Sequence, residues 1–203
     1  MREINEITNI LFDTKNHPVG SLPVDVLYSI HFIMDLWAKC GMGSNGAILV
    51  QQILQRVLDQ QKAANKYADD IIASKLYTVA IDAWARSNAP DAPEHALHIL
   101  QQEQNAHTTT ENSMLKPNTV SYNTVLKSFA KAGCAKDTEE LLNVMTTFND
   151  EDAKPDVISY NAVLDAYARS VHDDHIAAEE AEEILYRMRK TCNKKFGIAP
   201  DLI

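Results

Sequence analysis

The chain has 203 residues, of which 45% are hydrophobic and 23% charged, with a formal net charge of −9. That length suits one ordinary core or a short array of repeats, and the acidic balance excludes an overall basic footprint of the kind nucleic-acid modules usually carry. With 6 Gly and 7 Pro, and no alternating run between hairpin turns, the sequence predicts an all-α chain. No apolar stretch approaches the roughly 18–20 residues of a membrane span.

The opening MREINEITNILF carries two Glu and no Arg-rich, acid-poor run, unlike a signal or transit peptide. Residues 1–26 are expected to hold the second helix (3–12) and loop of a truncated preceding hairpin. A pattern then recurs: MDLWAKCG from Met34, IDAWARS from Ile81, LKSFAKAG from Leu126 and LDAYARS from Leu164. Each has an aromatic (Trp37, Trp84, Phe129, Tyr167) followed by Ala and a base (Lys39, Arg86, Lys131, Arg169), and the aromatics are 47, 45 and 38 residues apart. Such periods signal stacked helical units.

Residues 27–73 are the most divergent copy, with Ile30, Met34 and Trp37 on a first helix, a second helix near 47–61 and no closing Pro. In 74–118, Tyr77, Ile81 and Trp84 share one face, the second helix runs from Pro93 to about Gln104, and Lys116-Pro117-Asn118 closes the unit. In 119–156, Tyr122, Leu126 and Phe129 form the stripe, widened by Val125 and Ala130, and Gly133 ends the helix. Asp137 or Thr138 caps the second helix, whose apolar face is Leu141, Leu142, Val144, Met145 and Phe148, and Lys154-Pro155-Asp156 closes. In 157–201, Tyr160, Leu164 and Tyr167 precede a second helix from about Ile176 to Lys194 and a closing Pro200-Asp201. Residues 202–203 would begin a further unit, so the chain reads as a fragment.

Hairpins of this kind bury their apolar faces only by stacking, which predicts a right-handed α-solenoid with the four aromatics packed inside. The tetratricopeptide pattern W-x₂-L-G-x₂-Y is missing. VSYNTVLKSFAKAG…KPD and VISYNAVLDAYARS…APD instead closely resemble the pentatricopeptide repeat (PPR) consensus, over about 27–203. These units, at 47, 45, 38 and 45 residues, exceed the family's about 35. The surplus is expected in loops and second-helix ends, for instance 107–115, where insertions disturb packing least.

The resemblance implies single-stranded RNA as partner, read one base per repeat by the first helices. By position, the base-recognition pairs would be Thr78 with Asn118, Asn123 with Asp156, and Asn161 with Asp201. The wedging second residues would be Val120 and Ile158, while Lys75 departs from the aliphatic norm and His31 with Ala73 matches no family pairing. In the family Thr–Asn favours adenine, Asn–Asp uracil and Thr–Asp guanine, with repeats running along RNA 5′ to 3′. The implied preference is 5′-A-U-U-3′ through the units starting at Ser74, Thr119 and Val157.

Residues five, nine and thirteen of each unit share a stripe distinct from the packing stripe: His31/Asp35/Lys39, Thr78/Asp82/Arg86, Asn123/Lys127/Lys131 and Asn161/Asp165/Arg169. The resemblance makes Lys39, Arg86, Lys131 and Arg169 phosphate contacts, joined by Lys127. The bland alternative is an Asp-to-base i,i+4 pair on a solvated face, worth a few tenths of a kcal/mol, and it fits three units equally well. The segments 27–40, 74–87, 119–132 and 157–170 hold six Lys/Arg and three Asp, net +3, leaving −12 elsewhere.

His172-Asp173-Asp174-His175 is read as a solvated turn, His95 and His98 lack further ligands for a metal, with His98 packing beside Ile99, and Cys40, Cys134 and Cys192 have no paired or metal-type spacing. No nucleophile–base constellation, phosphate loop or acidic cluster stands out, so the segment is expected to be no enzyme, with no catalytic residue, metal or cofactor. A monomer without membrane contact is expected, in a mitochondrion or plastid by family resemblance. The alternatives are a protein-binding scaffold using the acidic convex face, and the RNA-binding arm of a larger enzyme such as a protein-only RNase P.

Overall fold

The computed structural model describes residues 22–63, 70–110, 113–147, 151–170 and 174–192. Among them are eight α-helices and no strand: α1 Val24–Lys39, α2 Gly43–Ala63, α3 Asp70–Ser87, α4 Ala92–Thr110, α5 Thr119–Ala132, α6 Ala135–Thr147, α7 Val157–Arg169 and α8 Asp174–Cys192. Short 3-10 turns at Ser113–Leu115 and Glu151–Ala153 follow α4 and α6. This is an all-α fold of helical hairpins. The chain divides into two compact units, residues 1–116 and 117–203.

In the first unit α3 is the central element, with α1, α2 and α4 all packed against it. Its buried Ile72, Leu76, Tyr77, Ala80, Ile81 and Trp84 recur at helical spacing and meet Ile30 and Met34 of α1 and Ile99 of α4 in one core. In the second unit α7 takes the central place against α5, α6 and α8. Tyr122, Val125, Leu126 and Phe129 of α5 bury with Leu142 and Met145 of α6 and Tyr160, Val163 and Ala166 of α7.

The helix ends follow from local chemistry. Asn118 caps α5, its side chain accepting from the backbone N–H of Val120 and Ser121. Asp156 and Ser159 form a reciprocal capping box at the start of α7. Gly133 ends α5 at φ 74°, with its own N–H on Ala130 O and the Cys134 N–H on Phe129 O, the left-handed stop that glycine permits.

One device recurs in both units. The aromatic near the end of a first helix reaches back to the preceding second helix: Trp84 Nε1 donates to Gln51 Oε1 at 2.7 Å, and the Tyr167 hydroxyl donates to Glu139 Oε2 at 2.5 Å. Trp84 also stacks on His95, ring centroids 3.9 Å apart. Arg187 of α8 donates to Glu139 and Asn143 of α6, tying consecutive second helices together.

Several expectations are corrected. The second helix expected to end near Gln104 runs on as α4 to Thr110, and Thr108, Thr109 and Thr110 donate to carbonyls four residues back, since neither Gly nor Pro intervenes to stop it. Neither Asp137 nor Thr138 caps α6. The helix starts at Ala135, and Thr138 is buried within it, its hydroxyl on Cys134 O. Val144 is 42% exposed, because α6 turns only a narrow stripe to the core. Trp37 and Leu164 are half-buried, and His98 is exposed rather than packed beside Ile99. Phe148, the 172–173 part of the His-Asp-Asp-His run and Asp201 lie outside the described residues, as do residues 1–21.

Candidate nucleic-acid interface

The expected reading pair of the second unit is in direct contact. Asn123 lies one turn into α5, 6% exposed, and its Nδ2 donates to Asp156 Oδ1 at 3.0 Å. Its Oδ1 accepts from Ser159 Oγ at 2.6 Å. Asn123 is thus buried rather than on the solvated stripe shared with Lys127 and Lys131, because the start of the next repeat closes over it. Asp156 also accepts from the Ser159 N–H at 3.0 Å. Partial burial pushes its carboxyl up, but hydrogen bonds from the Ser159 N–H, the Asn123 amide, the Ser159 hydroxyl and the Ile158 N–H outweigh that and hold it below the usual carboxylate range. Ionised, Asp156 is acceptor-only, so Asn123 must present nitrogen to it.

Thr78 is half-buried in α3 and donates to its own Ser74 carbonyl at 3.0 Å. Asn118 belongs to the second unit and is engaged as the α5 cap. Asn161 is exposed on α7, and its expected partner Asp201 lies outside the described residues. Val120 and Ile158 are 64% and 46% exposed, aliphatic side chains standing in solvent one turn before Asn123 and Asn161. In the divergent unit Ala73 is buried and His31 half-buried. Burial lowers the His31 pKa, aided by Lys75 and Lys39 and opposed by Asp35. Lys75 Nζ lies 5.9 Å over the ring of the exposed Tyr28.

Three of the basic residues pair with an acid of their own helix. Lys39 pairs with Asp35 at 2.8 Å, Arg86 with Asp82 at 2.6 Å and Arg169 with Asp165 at 2.9 Å, all i,i+4 on exposed faces. Exposed pairs of this kind contribute little to stability, but each sets a carboxylate beside a charge otherwise available to phosphate. Lys127 and Lys131 are exposed on α5, and position 127 is where the other three units carry that Asp.

Sequence reasoning missed Ser159. The available signal was its recurrence: Ser121 and Ser159 hold the same third position in their repeats, and both are buried, an unusual place for a hydroxyl without a task. Gln51 and Glu139, the partners of Trp84 and Tyr167, and Arg187, which pairs with Glu139, were missed for want of any local motif.

Among the described residues no helix is long and apolar enough to cross a membrane, and no group of three His, Cys, Asp or Glu could hold a metal ion. No curated protein matches the chain. Residues 117–169 match the model of the PPR repeat family. The matched segment spans α5 to α7 and includes Asn123, Asp156 and Ser159. Repeats of this family are helical modules, generally RNA-binding and typically non-catalytic. On the all-α hairpins and this match, residues 117–169 form a pentatricopeptide repeat segment.

Proposed function

We propose that this chain binds single-stranded RNA selectively through the first helices of its repeats, without chemistry of its own, in organellar RNA processing, stability or translation. The observation that carries the reading is the Asn123–Asp156 hydrogen bond at 3.0 Å. It joins the fifth residue of one repeat to the last residue before the next, the two positions on which base choice in the family depends. An amide held by an ionised carboxylate keeps a further donor and acceptor for a base edge. Exposed Val120 and Ile158 offer aliphatic surface between which bases could wedge, and Lys127 and Lys131 offer charge to phosphate. By the family pairing, Asn123 with Asp156 favours uracil.

Stacking contributes roughly 1–3 kcal/mol per base, so a trinucleotide should bind near millimolar or somewhat tighter. Titrating the chain with 5′-A-U-U-3′ and 5′-A-G-U-3′ by NMR suits that range. Asn123→Thr, leaving Asp156, should move the middle preference from uracil toward guanine. Equal weakening of both RNAs would limit this repeat to backbone contacts.

A protein-binding scaffold is the second reading. It is favoured by the ion pairs of Lys39, Arg86 and Arg169 with their own Asp neighbours, which soften the field a phosphate backbone would meet.

A further inference from the structure

The reading pair of the second unit is completed by a third side chain. Ser159, in the first turn of α7, is fully buried. Its Oγ accepts the Asp156 backbone N–H at 3.0 Å, so the capping box occupies a lone pair and leaves the hydroxyl proton to be given away. Two acceptors face that proton, Asn123 Oδ1 at 2.6 Å and Asp156 Oδ1 at 3.1 Å. The shorter contact assigns it chiefly to Asn123. One side of the Asn123 amide is therefore held by Asp156 through nitrogen and the other by Ser159 through oxygen.

We propose that Ser159 is a specificity-determining positioning residue, whose hydroxyl fixes the Asn123 amide in one orientation and so separates uracil from cytosine. The inference rests on the base-reading role proposed above and adds to it a member supplied by the following repeat.

The chemistry is a count of hydrogen-bonding capacity. A side-chain amide has two N–H donors and two oxygen lone pairs. Asp156 takes one donor and Ser159 one lone pair, leaving one of each for a base. Uracil offers an N3–H donor beside the O4 acceptor, whereas cytosine offers an N3 acceptor beside the N4 amino donor. For a base held in one placement, the amide meets uracil in one orientation and cytosine only after a flip. Flipping turns Oδ1 onto the Asp156 carboxylate, acceptor against acceptor, and deprives the Ser159 proton of its closer acceptor. Removing the hydroxyl deletes one of these two restraints and leaves the other.

The test is NMR titration of the 203-residue chain and its Ser159→Ala, Ser159→Thr and Ser159→Cys variants with 5′-A-U-U-3′ and 5′-A-C-U-3′, alongside thermal melts by circular dichroism. In Ser159→Ala the preference for uracil over cytosine should fall about three- to tenfold, the worth of one net hydrogen bond. Ser159→Thr, which keeps the hydroxyl, should retain it. Should Ser159→Ala fail to fold, Ser159→Cys, a weaker donor of similar size, should show a smaller fall in the same direction. An unchanged ratio in a folded variant lacking the hydroxyl overturns the inference and leaves base reading intact. Equal loss of both RNAs with a lowered melting temperature reduces Ser159 to helix capping and overturns it as well. Absence of uracil preference in the unmodified chain overturns the base-reading proposal itself, an outcome distinct from both.

Discussion

Two glycines allow backbone strain to be separated from contact. Gly41, between α1 and α2, has φ +67° and nothing within 4 Å of where a Cβ would stand. Gly133, between α5 and α6, has φ +74°, and its Cβ would stand 3.3 Å from the backbone oxygen of Arg169, the last residue of α7. Alanine at either site incurs the left-handed penalty of about 1–2 kcal/mol, offset by about 0.4–1 kcal/mol from a less flexible unfolded chain. Gly41→Ala should therefore lose roughly 1 kcal/mol. Gly133→Ala must in addition push aside the Arg169 carbonyl by a few tenths of an ångström, an overpacking cost of about 1–3 kcal/mol, so its loss should be about 2–4 kcal/mol. Urea unfolding followed by circular dichroism measures both, and the midpoint should shift with little change in slope. Equal losses at the two sites would show that the approach of Arg169 to Gly133 constrains nothing. If neither variant lost stability, the loops would relax out of the left-handed region, and the stop signals would not depend on glycine at all.

Replacing Lys127 and Lys131 together should flatten the salt dependence of RNA binding by about one to two units of slope for any RNA sequence, and replacing Arg169, already beside Asp165, should change it less. An unchanged slope in the double variant would place both lysines on a merely solvated face. The Tyr167 hydroxyl has its pKa raised by burial first, then by the hydrogen bond and charge of Glu139 and by Glu180, against the opposing charge of Arg187. Its contribution to stability is complete below the unfolded tyrosine pKa of about 10 and is lost as pH rises above that value. The melting temperature should fall more steeply above about pH 10 for the unmodified protein than for Tyr167→Phe, and parallel curves would refute the coupling.

The first helix of the third repeat was the most legible because three signals coincide in it: an aromatic or aliphatic every fourth and third residue, a capping side chain before the helix, and a stop after it. Tyr122, Leu126 and Phe129 with Asn118 and Gly133 show all three, and α5 spans Thr119–Ala132 as those residues dictate. The second helices were less legible. The run His107–Thr110 contains no stop, so a polar tail that reads as loop simply continues the helix by returning threonine hydroxyls to its own backbone. Thr138 resembles a cap in isolation, yet its place in α6 is set by packing, which local chemistry does not announce.

The pairing of Asn123 with Asp156 was legible in the sequence, and its surroundings were misread. Periodicity treats a helix as an isolated cylinder, and on that cylinder Asn123, Lys127 and Lys131 share one stripe. The neighbouring repeat breaks the symmetry by laying Asp156 and Ser159 over Asn123 and leaving the lysines in solvent. The spacing that matters is therefore across repeats, 33 residues from Asn123 to Asp156 and 36 to Ser159. Under the proposed base reading, a common cap residue would also set base choice. The capping box fixes the Asp156 side chain whether or not RNA is present, so the carboxylate that orients Asn123 is ordered by folding and not by binding. Preorganisation of that kind lowers the cost of recognition, and it ties specificity to the integrity of the next helix start. Under the proposed base reading, a change that frays the first turn of α7 should thus be felt at the base that α5 would read.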